Sequence, residues 1–287
     1  MKRSSVTGNR ESFGFVACLL TVATLVAPTL SAQQCDEISY SRTAMLGGGF
    51  VLGQGIAIAI QRDTWWTTPT TAFHLSDRVS ASKGQDYLLH AAVSYHASQL
   101  GGIALHWACV PSSLAPWLGA AFGFAISLPK EIGDGFHEDQ GFSLRDALWS
   151  AAGAALPALH HTWAPSRAVL LKGNYWPSSE LLDRTGAQPT LFTDYAGQRY
   201  FLAFDPGRLP GGGGPWPDWL GIAVGHGVPH WITVPPEHEW YVTLDLNLRG
   251  LAIDAPWWPR LASVLDQIKW PMPGVRVRSG EVAVGLF

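Results

Sequence analysis

Charge is scarce in this chain. Only 14% of its 287 residues are Asp, Glu, Lys or Arg, against about 25% in an ordinary soluble domain. From Tyr87 to Pro129 there is not one. So few charges cannot clothe a normal water-facing surface, so the chain buries much of itself or lies against a membrane. An excess of positive charge is also missing. The formal net charge is −3, which leaves no broad cationic field for nucleic acid. The common catalytic signatures are absent too: no nucleophile elbow, phosphate loop, dinucleotide fingerprint or metalloprotease helix. The histidines lack the paired His/Cys spacing of a zinc site. No metal ligand set and no cofactor is therefore assigned. Internal repeats are also lacking.

Tryptophan, by contrast, is abundant, with 14 copies. Its ring suits a boundary between dry and wet surroundings, a membrane interface included; a Trp-rich core explains the count equally well. The chain opens with Lys2, Arg3 and Arg10, then an apolar run from Gly14 to Val26, then the small residues of Ala27–Ala32. This is the pattern of a cleavable export signal, with cleavage expected after Ala32. Of the three cysteines, Cys18 leaves with the signal. An oxidising compartment permits a Cys35–Cys109 disulfide, while the apolar setting of Cys109 favours a buried free thiol. Gln34 stands where a lipidation signal needs a small residue, so no lipid is expected on Cys35.

The expected class is α+β: an N-terminal apolar helical bundle of about three core helices, then an antiparallel β-rich region of about five strands. The divisions are 1–32 signal, 33–83 an N-terminal segment, 84–164 the helical core, and 165–287 the β-rich region. Met45–Ile60 is apolar and carries Gly49-x-x-x-Gly53, suited to close helix packing; a glycine-rich strand fits it as well. Pro111 and Pro116 split the charge-free region into helices over about 84–108 and 114–128. The second carries Gly119-x-x-x-Gly123. Ser143-Leu-Arg-Asp146 resembles a capping box and starts a third helix running to about Thr162. The expected strands are 168–176, 198–205, 220–227, 239–249 and 275–287. In the fourth, Val242, Leu244, Leu246 and Leu248 point one way, and Thr243, Asp245 and Asn247 the other. The last ends on Phe287 like the closing strand of an outer-membrane barrel, but five strands are too few for a closed barrel, which starts at eight.

Ionisable groups sit at the edges of these helices. Asp86 and His90 share one helix face at i, i+4. Lys130, Glu131 and Asp134 follow the second helix, and Asp146 opens the third. Such groups face water or meet one another, because burying them unpaired costs several kcal/mol. If they meet, His90, Glu131 and Asp134 are the candidate catalytic trio, with His90 as general base. Asp86, Lys130, Ser143 and Asp146 complete the polar network. A purely structural network fits the spacing too, as does a metal held by His90 with Glu131, Asp134 or Asp146.

These residues carry a resemblance. Asp86-Tyr-Leu-Leu-His90, Lys130-Glu-x-x-Asp134 and Gly141-Phe-Ser-Leu-Arg-Asp146 with Gly153 resemble, in order and spacing, the YfiM-like family of predicted periplasmic lipoproteins, a domain of unknown function. Longer members add patches resembled here by Asp194-Tyr-Ala-Gly-Gln198-Arg-Tyr-Phe201, Trp219–Gly225 and Leu244–Leu248. Asp194 and Gln198 join the binding or structural set on that ground. The resemblance covers about 84–287. Tyr87 replaces a family Lys, Ser150 stands where many members have a second Asp or Asn, and the lipobox cysteine has no good counterpart. The helical half also resembles VanZ-like membrane proteins. The combined expectation is an exported protein of the periplasm or outer membrane. It would bind a membrane surface, an envelope lipid, a wall component or an envelope protein, and not nucleic acid. The alternative is an enzyme acting on such a lipid or wall precursor through His90, Glu131 and Asp134.

Overall fold

The computed structural model describes residues 35, 37–76, 80–182, 193–212, 214–232 and 235–287. The expected export signal lies outside them. Among the described residues there are six α-helices, four of them before a six-stranded sheet and two short ones in its connections, which is the expected α+β order.

Helix α1, Tyr40–Thr64, resolves the choice left open for Met45–Ile60 in favour of a helix. Among the described helices it alone is long and apolar enough to cross a membrane, and none of its residues is buried. Gly49 and Gly53 meet open space, so this spacing does not pack a neighbour. The start of α1 is fastened instead. Cys35 and Cys109 form a disulfide, the one of the two states left open by the sequence that an oxidising compartment permits. Beside it the Ser39 N–H donates to Ala108 O at 2.9 Å, and Arg42 Nη1 to Trp107 O at 2.9 Å.

The core helices are α2 (Gln85–Trp107), α3 (Ala115–Asp134) and α4 (Leu144–Thr162). Helix α3 does not stop near residue 128. It continues through Pro129, so Lys130, Glu131 and Asp134 lie within it. The sequence argument overweighted proline, whose lost hydrogen bond is tolerated when packing holds both sides of the helix. Small residues make the contacts. A Cβ on Gly119 would lie 2.7 Å from Ser98 O, on Gly123 2.5 Å from Ser94 O, and on Gly153 2.0 Å from Ala91 O. The helices bury alanine, serine and glycine, while Leu100, Ile103, Trp117, Leu118, Leu148 and Trp149 stay exposed. In these contacts close backbone approach replaces the burial of large side chains.

The strands are β1 (Val169–Tyr175), β2 (Gln198–Phe204), β3 (Leu220–Gly227), β4 (Glu239–Leu246), β5 (Pro273–Arg278) and β6 (Glu281–Leu286), a fully antiparallel meander in that order. The short helices α5 (Ser179–Leu182) and α6 (Trp258–Leu265) sit in its connections. The expected final strand is two strands: Ser279 and Gly280 both take positive φ, the two-residue turn that reverses a hairpin. The sheet is open, with β1 and β6 at its edges.

Alternation along β4 holds, but in the inside-out sense. Thr243 and Asp245 are buried and Val242 is exposed; the strand ends at Leu246, so Asn247 and Leu248, expected on opposite faces, are both buried beyond it. Across the sheet Leu202, Val224, Val242, Val275 and Val284 stand opposite one another, one per strand from β2 to β6, and all five are exposed. Helix α2 covers only the β1–β2 part of this face, through Ala91, Ala92 and Tyr95 against Leu171 and Tyr200. The other face packs Leu170, Phe201, Ala203, Ala223, Tyr241 and Phe287. None of the tryptophans is buried and seven are exposed, so a Trp-rich core is ruled out.

Candidate functional site: a buried acidic cluster at the helix ends

Three helix ends converge. Asp86 and His90 come from the first turns of α2, Lys130, Glu131 and Asp134 from the last turns of α3, and Asp146 from the first turn of α4. Asp86 and Asp146 profit from the positive ends of their helices. Glu131 and Asp134 sit at a negative end, where Lys130 between them offsets the penalty.

His90 is the meeting point. Its Nε2 lies 3.5 Å from Glu131 Oε1 and 3.9 Å from Asp146 Oδ2, and its Nδ1 lies 3.2 Å from Ser150 Oγ. The Lys130 ammonium donates to Asp134 Oδ2 at 2.7 Å and Glu131 Oε1 at 3.1 Å, and stands over the Trp65 ring. Asp134 also accepts from the Trp66 indole N–H at 2.7 Å. Asp86 is held by Ser80 and Ser82 at the helix start. Ser143 caps α4 by accepting from the Asp146 N–H at 3.2 Å. Two buried oxygens, Glu131 Oε2 and Asp146 Oδ1, have no hydrogen-bond partner.

Burial dominates the electrostatics. It lowers the His90 pKa to about 3, helped by the Lys130 charge. It raises Glu131 to about 7, against the pull of Lys130 and with the push of Asp146 and Asp134. It raises Asp146 to about 6, with Asp86 adding to the shift. Lys130 is held above its usual value, because Glu131 and Asp134 outweigh its desolvation. The imidazole is thus neutral near pH 7, and Glu131 is poised to hold or release a proton there.

The structure brings His90, Glu131 and Asp146 together, with Asp86, Lys130, Asp134 and Ser143 around them. Asp134 serves Lys130 and Trp66. Ser150, noted as a departure from the family pattern, still reaches the His90 ring. Asp194 and Gln198 do other work. Asp194 accepts from Tyr175 Oη, Ser178 N and Ser178 Oγ, clamping the chain after β1. Gln198 accepts at its backbone carbonyl from Gln85 Nε2, tying β2 to the start of α2. Trp65, Trp66 and Tyr195 were missed. Burial and the charge of Asp86 raise the pKa of Tyr195, and Lys130, Asp146 and Glu131 also act on its hydroxyl. Nothing in an aromatic's local sequence announces such a neighbour.

A second buried network was missed as well, on the inner face of the sheet. Lys172 pairs with Asp245 at 2.7 Å and Asp266 at 3.0 Å, and Arg208 with Asp205 and Asp266 at 2.8 Å each. Lys269 donates to the carbonyls of Leu244, Trp270 and Phe287. Its charges are matched, so it reads as structure. The inward alternation of Thr243, Asp245 and Asn247 was its only sequence trace.

A helical core with apolar outer faces and a buried acidic cluster, followed by an antiparallel sheet, defines the class as α+β. Residues 76–162 match the family described as Predicted periplasmic lipoprotein (DUF2279). The match spans α2 to α4 and every residue from Asp86 to Asp146 named above, and bears out the resemblance there. It accords with an exported protein of the periplasm or outer membrane, and lends nothing to the VanZ likeness. Neither the curated proteins nor the solved structures contain a match to the chain.

Proposed function

We propose that this is a membrane-associated envelope protein whose sheet lies with its outer face against lipid, seating the helical core and its acidic cluster at the membrane boundary. One observation carries the reading. Leu202, Val224, Val242, Val275 and Val284 form an unbroken row across five strands, each between 37% and 83% exposed, while the opposite face buries charges. In water that arrangement is backwards, and contiguous apolar patches of this kind mark interaction surfaces. Against lipid it is the ordinary order, apolar outward and polar inward. Exposed Val277, Val282 and Leu286 extend the patch to the β6 edge. The exposed apolar face of α1 and the large side chains on the outside of α2–α4 support the same environment.

Lipid is favoured over a protein partner because apolar exposure is spread over helices and sheet alike instead of one rimmed patch. Half-burying one such side chain is worth about 1 kcal/mol, and an arginine in lipid costs about 2–4 kcal/mol. Flotation of the chain lacking residues 1–32 with phosphatidylethanolamine/phosphatidylglycerol vesicles tests this. The protein should float with the vesicles at high salt, and Val242→Arg should weaken partitioning by about a hundredfold or more. A wild type that stays in the soluble fraction, or a variant that floats equally well, would overturn the proposal.

A further inference from the structure

We infer that His90, Glu131 and Asp146 form a binding site for a divalent first-row transition metal such as Zn²⁺. One ligand atom from each lies within 4.8 Å of the others, and the three residues come from three different helices. Ligands about 2.0–2.1 Å from a tetrahedral ion stand roughly 3.3 Å apart. The observed 3.5 and 3.9 Å separations from His90 Nε2 leave room for such an ion after little movement.

The hydrogen bonding asks for a cation. If His90 Nδ1–H donates to Ser150 Oγ, the Nε2 lone pair faces carboxylate oxygens of Glu131 and Asp146 with no donor between them. This is the outer-shell arrangement that orients a metal-binding imidazole. Glu131 is 1% exposed, and its Oε2 has no partner; neither has Asp146 Oδ1. Leaving such oxygens unpaired is expensive, and an ion held by Glu131 and Asp146 would offset the charge that these two half-satisfied carboxylates leave buried. The charge count agrees. Glu131 and Asp134 share the ammonium of Lys130, and among the described residues Asp146 forms no ion pair with a lysine or arginine. One imidazole with carboxylates suits a transition metal better than Ca²⁺ or Mg²⁺. Three protein ligands leave a fourth position for water or substrate, the open arrangement of catalytic metal centres. In the sequence this set stood only as one of several open readings, because its ligands do not share a helix and so have no diagnostic spacing.

The test is metal content of the purified chain by mass spectrometry, followed by Zn²⁺ titration of the metal-stripped protein by calorimetry. One equivalent should bind and raise Tm. His90→Gln, Glu131→Gln and Asp146→Asn should each weaken binding at least about tenfold, and Ser150→Ala should weaken it within the ~10–100-fold range of outer-shell partners. The exposed-site control His161→Gln should bind like wild type. A stripped, folded wild type that binds no Zn²⁺ saturably would overturn the inference, and this measurement needs no variant to fold. So would binding that survives all three ligand substitutions.

Discussion

Gly153→Ala adds one methyl group, and the structure says where it must go. A Cβ there would lie 2.0 Å from Ala91 O and 2.7 Å from both Ala91 C and Ala91 Cα. Ordinary contact begins near 3.4 Å, so α4 and α2 must part by about 1.4 Å. The obstacle is helix backbone, which cannot swing aside as a flexible side chain can. Overpacking of this kind costs about 1–3 kcal/mol, and a rigid backbone puts it at the top of that range or above. The helix propensity gained from alanine returns about 1 kcal/mol, leaving a net loss near 2 kcal/mol. The companion variant Gly49→Ala meets nothing within 4 Å, so it keeps the propensity gain alone, about 1 kcal/mol of stabilisation. Both glycines lie in small-residue helical sequence, yet the two changes should move stability in opposite directions. At roughly 2–4 °C per kcal/mol for a chain of this size, thermal melts in mild detergent resolve them. Gly153→Ala should also separate Ser150 from His90, visible as a changed imidazole NMR signal. Equal stability of Gly153→Ala and wild type, or shifts of the same sign in both variants, would refute the packing argument.

Two more outcomes follow from the geometry. His226 is buried, with Nδ1 2.9 Å from Gln85 Oε1 and Nε2 3.0 Å from His238 Nδ1; desolvation, aided by His238, lowers its pKa to about 4. The unfolded chain protonates this residue below about pH 6.5, and the folded chain only near 4, so its contribution is lost as pH falls through that window. The slope is about 1.4 kcal/mol per unit. Urea titrations at pH 7 and pH 5 should show less acid sensitivity in His226→Gln than in wild type, and an unchanged slope would count against the burial argument. The Cys35–Cys109 disulfide joins positions separated by 74 residues. Loop-closure entropy for that span is worth about 4 kcal/mol. Paired Cys35→Ser and Cys109→Ser changes should therefore lower Tm and reduce protection of α1 amides from hydrogen exchange. Unaltered exchange in α1 would mean the bridge does not fasten that helix.

Much of the helical half was legible because its signals are local. Prolines 111 and 116, the Ser143 cap and the charge-free stretch mark the three core helices to within a few residues, except where packing carried α3 past Pro129. His90 and the carboxylates stood out because ionisable groups are rare in that stretch. Their partners were harder to see. Trp65, Trp66, Ser150 and Tyr195 reach the cluster from separate parts of the chain, and no spacing rule relates them. Asp194 and Gln198, picked out by resemblance, proved to be ties within the second half. In the sheet, period-two alternation was plain along β4, but alternation has no sign; burial supplied it, and supplied it inverted.

The amino-acid sequence by itself settled the α+β order, the core helices and which polar residues stand at the helix ends, since turns, caps and charge depletion act over a handful of neighbouring residues. Only the tertiary structure decided which glycines touch backbone and which touch nothing, that Cys35 finds Cys109, and that the valines of β3–β6 face outward. Those outcomes depend on which surfaces meet across the fold, and distance through space is not written in distance along the chain.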